Sequence, residues 1–433
     1  MNIFLLSSFI IVVSSLYISN KKNIITYIKK SIIPLFGILF IIALIVFPRV
    51  AVASALKGIE LWLNVVFPSL FPFFVASQLL SKSGFISIFG ILLEPIMRPL
   101  FNVPGCASFA LAMGIVSGYP VGAVITSDLR KQELITRVEA ERLLTFTNNS
   151  GPLFIMGAVA VGMLKLPKAG YLLYLSHIAA CITVGLVFKY YKRHESKKIG
   201  STIKMIPKVK IELKKMRNTD MNPWTLFGDC IKNSIFTILT IGGFIIFFSV
   251  LINIMLSSGI IAWAGDLVGF LCKLGFEGKT VEGLLCGIFE ITSGANLINL
   301  AAGDLKIKLC CVSLIIGWAG LSVHTQVMSI VSNSDIRVKP YIIGKAMHGI
   351  ISAVYTFLGY SIFNKSLMLE STVFLNSSTK YINDWSNILR LSLQNIVIVS
   401  IVIICISICY ICFVSINPKK TTLATEKCQR RKP

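Results

Sequence analysis

Apolar residues along this chain come in long blocks separated by short polar or basic stretches. Blocks near 1–20, 32–48, 59–80, 143–163, 171–190, 231–255, 307–331, 341–363 and 393–415 approach the roughly 20 residues that a helix needs to cross a hydrocarbon core. Two further blocks, near 105–127 and 280–303, are interrupted by Gly and Pro. Each holds a polar island: Ser117-Gly118-Tyr119-Pro120 in one, Glu290-Ile291-Thr292-Ser293-Gly294 in the other. Broken backbone at membrane depth is tolerated only where protein covers it or it lines an aqueous cavity. The islands are therefore the first candidates for a site.

The blocks fall into two comparable halves. Phe73-Phe74 and Ser83-Gly84-Phe85 match Phe247-Phe248 and Ser258-Gly259-Ile260 at offsets of 174 and 175, and Met113-Gly114-Ile115 matches Cys286-Gly287-Ile288 at 173. Even spacing with weak identity is how an internal duplication shows itself in a transporter. Basic clusters at Lys21 to Lys30, Lys189 to Arg217 and Lys419 to Lys432 belong in the cytoplasm by the positive-inside rule. The first half then starts from outside and the second from the cytoplasm, which predicts inverted repeats. Nine crossings close the count if 105–127 and 280–303 are re-entrant hairpins, which keeps Arg130, Arg137, Arg142, Arg337 and Lys339 inside.

The fold class expected is thus an all-α polytopic membrane protein built from inverted repeats with two re-entrant helical hairpins. Its parts are N-terminal transmembrane helices (1–50), a first repeat (51–191), a basic cytoplasmic linker (192–222), a second repeat (223–363), an extracytoplasmic loop (364–392), and a last transmembrane helix with a basic tail (393–433). The first apolar run has no basic region before it and no small-x-small cleavage site, so it reads as a retained helix with its N-terminus outside. Segment 86–101, with Glu94, Pro95, Arg98 and Pro99, reads as an interfacial helix without chemistry.

Composition agrees: of 433 residues 55% are hydrophobic and 14% charged, with a mean hydropathy of +0.78, which excludes an ordinary soluble domain. The net charge of +23 follows from topology and contact with anionic lipid, and no nucleic-acid partner is expected. The eleven Cys sit mostly in apolar segments and suggest neither disulfides nor a zinc site. Absence of HExxH, Walker and nucleophile-elbow patterns argues against an enzyme and for secondary transport without a cofactor.

Four polar segments carry the candidate chemistry. Around Ser117, Gly118, Tyr119 and Pro120 the broken ladder frees amides that suit an anion, although a kinked helix packed through glycine is an equal reading. Asn148, Asn149 and Ser150 precede Pro152, either as a break facing the hairpin or as an ordinary cap of a helix starting at Pro152. Glu290, with Thr292 and Ser293, offers a carboxylate at membrane depth that binds a coupling cation or proton, orients a donor, or pairs with a basic residue. Ser322, His324 and Gln326 recur every second residue, which an extended stretch would align on one side. Ser117 to Asn149 and Glu290 to Ser322 are both separated by 32 positions, so the four segments are expected to converge near the midplane. His177 and His348 are each read as lone packed residues.

These residues carry a resemblance. Leu61-Trp62-Leu63-Asn64-Val65-Val66-Phe67-Pro68-Ser69-Leu70-Phe71-Pro72-Phe73-Phe74, Glu94 to Gly105, Ser117 to Pro120, Val138-Glu139-Ala140-Glu141-Arg142-Leu143, Gly287 to Thr292, Gly317 to His324 and Asp335 to Pro340 resemble the YlbJ (SpoVV) family of sporulation integral membrane proteins. That family groups with nucleoside-recognition gate domains and is similar to concentrative nucleoside transporters. The resemblance implies gate-like repeats and transport of dipicolinic acid during endospore formation, from the mother cell across the outer forespore membrane. Asn, Ser, Thr, His and free amides suit this planar dianion, and Tyr119 or Trp318 could stack on its ring. A coupling cation or proton and a homo-oligomer are compatible with it. The alternatives are a nucleoside or other small-anion carrier, or a non-transporting scaffold of the spore envelope.

Overall fold

A computed structural model describes residues 21–83, 85–193, 222–267 and 277–368, and among these every regular element is helical. The apolar runs 1–20 and 393–415, most of the basic linker, and nearly all of the expected loop 364–392 lie outside the described residues.

The first half runs α1 (Lys21–Val46), α2 (Pro48–Leu61), a π turn (Trp62–Val66), α3 (Phe67–Lys82) and α4 (Phe85–Phe101). It continues with α5 (Ala107–Ser117), α6 (Val121–Lys131), α7 (Arg137–Thr147), a π-helix (Leu153–Met163) and α8 (Pro167–Phe188). The second half runs α9 (Pro223–Ser257), α10 (Ile260–Leu267), α11 (Gly278–Phe289), α12 (Ile291–Leu300), α13 (Leu305–Trp318), α14 (Gly320–Val331) and α15 (Val338–Met368). From α3 and from α9 the same order recurs: a helix, an amphipathic helix, a pair meeting at a break, a second broken pair, and a long helix.

Four described helices are long and apolar enough to cross a membrane, or five if the bent pair α1–α2 counts as one span. Two of the expected crossings do not form as single spans. The run 59–80 is the second part of a helical path from Pro48 to Lys82 that passes through the π turn and leaves α1 at 104°. The run 143–163 splits after Thr147, where Asn148 to Gly151 favour non-helical backbone and Pro152 restricts the residue before it. Outward positions on α1 and α15, such as Ile33 at 78% and Ile362 at 81% exposure, are what a lipid-facing surface requires.

The main core draws on both halves. Leu70, Phe74, Phe101, Val121, Phe146, Val323, Val327 and Tyr341 belong to one buried cluster, so α3 to α8 cannot be separated from α14 and α15 without opening apolar surface. α9 lies along α2 and α3, and the Trp62 indole on the π turn donates to the Ile238 carbonyl at 3.1 Å. One end of the bundle is braced by charge. Arg98 pairs with Glu94 at 2.7 Å and with buried Glu139, while Glu141 accepts from the Tyr191 hydroxyl and the Arg337 amide. Segment 86–101 is therefore tied into the core by Met97, Phe101 and Arg98, in a structural role. The motif Val138 to Leu143 serves this brace: Thr136 and Glu139 form a capping box at the start of α7, and buried Arg142 donates to the carbonyls of Asn102 and Tyr191.

Candidate functional site

The two polar islands are the tips of packed helix pairs, α5 with α6 and α11 with α12. At the first tip Gly118 takes φ +88° and the Tyr119–Pro120 peptide is cis. The break between α7 and the π-helix lies directly against it. A Cβ on Gly122 would stand 2.1 Å from the Thr147 carbonyl oxygen, and one on Gly118 would stand 2.7 Å from the Gly151 nitrogen. Only glycine permits that approach. At the second tip Glu290 is extended (φ −149°, ψ 125°), and the break between α13 and α14 places Ala319 and Gly320 in left-handed backbone at φ +78° and +74°. A Cβ on Gly320 would stand 3.0 Å from the Phe289 carbonyl oxygen. In each half, then, a hairpin tip rests on the break of the helix pair that follows it.

The Glu290 carboxylate accepts from the amides of Thr292 and Ser293 at 2.7 Å each and so caps α12. Two helix-start amides at this tip are occupied by the chain's own carboxylate, and no ion pair among the described residues includes Glu290. Asn149 and Ser150 do not cap the helix after Pro152 either, since no side-chain cap bond is made there. Ser322, His324 and Gln326 are not on an extended stretch. The break ends at Gly320, and all three lie on α14, with Ser322 and Gln326 sharing a face and His324 opposite. All three are buried because α14 packs against α6, α9 and α11.

The halves meet at Tyr341 on α15, a fully buried side chain. Asn148 Nδ2 donates to the Tyr341 hydroxyl at 3.0 Å, and that hydroxyl stands 3.0 Å from His324 Nδ1. With its oxygen accepting from Asn148, Tyr341 has its proton free for Nδ1, and in that arrangement His324 carries its proton on Nε2. A second branch starts from the same asparagine. Lys345 Nζ donates to the Asn148 carbonyl at 3.0 Å and contacts His348 Nδ1 at 3.3 Å, while His348 Nε2 lies 3.0 Å from the His177 carbonyl. The two imidazoles stack with centroids 4.3 Å apart, and His177 Nε2 accepts from the Ser150 amide at 3.1 Å. His177 and His348 are thus not isolated packed residues, and Lys345 and Tyr341 join a site that sequence reading left without them. Lys345 is the one Lys, Arg, Asp or Glu in the apolar run 341–363, which is itself a signal for it.

Buried polar atoms normally find partners, yet here a group of them does not. Ser117 Oγ, Tyr119 Oη, Asn148 Oδ1, Asn149 Oδ1, Ser150 Oγ, His177 Nδ1 and His324 Nε2 have none among the described residues. The Tyr119 hydroxyl faces Ser150 outside regular hydrogen-bond geometry and lies within electrostatic reach of Glu290 and Tyr341. Three hydroxyls and two imidazole N–H groups are donors suited to a carboxylate, while the two asparagine oxygens are acceptors. Trp318 is already engaged, edge-on to His324 at 4.3 Å and donating to the Ile288 carbonyl. Thr292 and Ser293 are half-buried at the second tip, with no side-chain bond to the first half among the described contacts. No three His, Cys, Asp or Glu among the described residues gather as a metal site.

A polar cleft of about 640 Å³ opens between α3, α6, α9 and α14. Gln78, Lys82, Ser127, Asp128, Lys131 and Gln326 are among its lining residues. Gln326 faces this cleft, and the Ser127 hydroxyl, also without a partner, stands on its wall. The cleft reaches Val124, two residues from Gly122, and Gln326, two residues from His324.

The family model for nucleoside recognition, the gate domain, matches residues 63–188 and 238–334. The sporulation integral membrane protein YlbJ of Bacillus subtilis (strain 168) is 38% identical over 361 residues, covering 79% of this chain and 87% of that protein. Both matches span the paired breaks. The chain belongs to the YlbJ family of sporulation integral membrane proteins and carries its nucleoside-recognition gate domain.

Proposed function

We propose that this protein is a membrane carrier for dipicolinic acid, moving it from the mother cell across the outer forespore membrane during endospore formation. Transport is secondary or facilitated. The observation that carries this reading is the set of unpartnered buried donors at Ser117, Tyr119, Ser150, His177 and His324, drawn from both halves onto the packed breaks. A planar dicarboxylate supplies acceptors for such donors, and each donor left buried without one costs about 1–3 kcal/mol. In this reading the two hairpins are re-entrant, the halves are inverted repeats as in concentrative nucleoside transporters, and rocking one against the other alternates access. The cleft beside Gln326 is the cytoplasmic approach, with Lys82 and Lys131 drawing in an anion.

A nucleoside carrier is the second reading. It is favoured by the gate family's description and by the Asn148 and Asn149 oxygens, which suit the N–H groups of a base. Uptake by proteoliposomes of the purified protein separates the two. Dipicolinate uptake that excess uridine leaves unchanged supports the first, and uridine uptake that dipicolinate does not block supports the second. Failure to move either solute in well-folded protein favours a non-transporting scaffold.

A further inference from the structure

Lys345 is completely buried on α15, and no carboxylate pairs with it among the described residues. A charged ammonium so placed is costly unless an anion accompanies it. Its bonding points to how the cost is met. Nζ has two partners, the Asn148 carbonyl at 3.0 Å and His348 Nδ1 at 3.3 Å. His348 Nε2 is the donor to the His177 carbonyl at 3.0 Å, so Nδ1 is an acceptor. A neutral amine has two N–H groups, and both are used. Protonation adds a third, for which no acceptor is supplied among the described residues.

The groups around Nζ supply no fixed acid. The titratable side chains facing it are His348 on its own helix, His177 and Cys181 on α8, and His324 on α14. Glu139 and Glu141 are engaged at the far end of α7 by Arg98, Arg137, Arg337 and Tyr191. The unpartnered Ser150 hydroxyl, a donor, and the unpartnered Asn148 and Asn149 oxygens, both acceptors, adjoin the carbonyl that Lys345 holds. A carboxylate seated on the Ser150 hydroxyl would be next to the amine.

Resting on the carrier reading above, we infer that Lys345 is the coupling group of this site: it takes up a proton when a carboxylate substrate binds and gives it back when the substrate leaves. An N–H bond forms on the Nζ lone pair as an O–H bond of hydronium breaks and leaves water; on release the same two bonds change in reverse. The carboxylate receives the third N–H, and the pair crosses the membrane with one unit less net charge than the substrate alone. Transport would then be proton symport.

Calorimetric titration of purified protein with dipicolinate, in buffers of different ionisation enthalpy near pH 7.5, reads proton uptake directly. Wild type is expected to take up about one proton for each dipicolinate bound. Lys345→Arg holds its charge permanently and is expected to bind with no uptake at this position. Lys345→Met is expected to bind at least about tenfold more weakly. Binding by wild type without proton uptake, or uptake unchanged in Lys345→Arg, overturns the coupling and leaves the carrier reading standing. No binding of dipicolinate to folded wild type overturns both. Should the lysine variants not fold, wild-type uptake across several buffers still decides the question, because its absence alone refutes the inference.

Discussion

Asn148 Nδ2 donates to the hydroxyl of Tyr341 at 3.0 Å, across 193 residues of chain. The bond joins the break after α7 to the long helix α15, and through Tyr341 it reaches His324 at 3.0 Å. Tyr341→Phe removes the central hydroxyl and strands two buried partners. The expected loss is about 2–4 kcal/mol, seen as a lower unfolding temperature in detergent. An unchanged unfolding temperature would mean that the three side chains do not form a continuous chain of bonds.

Gly122 packs the first hairpin directly on the first break, with a would-be Cβ 2.1 Å from the Thr147 carbonyl oxygen. Backbone is the obstacle, so no side-chain rotation relieves it. Gly122→Ala is expected to cost at least about 3 kcal/mol or to abolish folded protein in the membrane. Gly157→Ala is the control, because a Cβ there meets nothing within 4 Å, and its expression should match wild type.

Glu290 holds the start of α12 through two amides at 2.7 Å. Glu290→Ala should destabilise by about 1–2 kcal/mol. Glu290→Gln keeps one acceptor and should fall between that variant and wild type in thermal unfolding. Equal stability of all three would remove the capping role and restore a free carboxylate at the second tip.

Arg130 at the end of α6 holds Asp335 in two bonds of 2.9 Å, and this bond keeps the Asp335 carboxyl below the usual carboxylate range. A folded-state value below the unfolded value of about 3.9 contributes stability above that pH and loses it as pH falls through the folded value. Asp335 is 46% exposed, so solvent and salt reduce the contribution to less than about 1 kcal/mol. Asp335→Asn should therefore show a small deficit at neutral pH that narrows in high salt and vanishes in acid. A deficit independent of both would point to packing instead.

Much of this was legible in the sequence because glycine, proline and asparagine act locally. Gly118-Tyr119-Pro120 and Asn148 to Pro152 break helices wherever they fall, and both breaks are where their residues predict. Ser322, His324 and Gln326 were misread because the break is made one turn earlier, by left-handed Ala319 with Gly320, and alanine gives no sign of it. The Lys345, His348 and His177 cluster depends on packing α15 against α8. His177 and Lys345 stand 168 positions apart, and no local pattern joins them. Glu290 stands out in the sequence as a carboxylate in an apolar run, whereas its partner, the helix start one residue on, is a backbone feature that no side-chain pattern marks.

The most direct test of one shared site is an experimental density map of the full-length protein saturated with dipicolinate. The ligand is expected between the two breaks, within hydrogen-bond distance of Ser150 and His324 and beside Lys345. Ligand density elsewhere, or an ordered map at saturation with no ligand between the breaks, would contradict the assignment of the site.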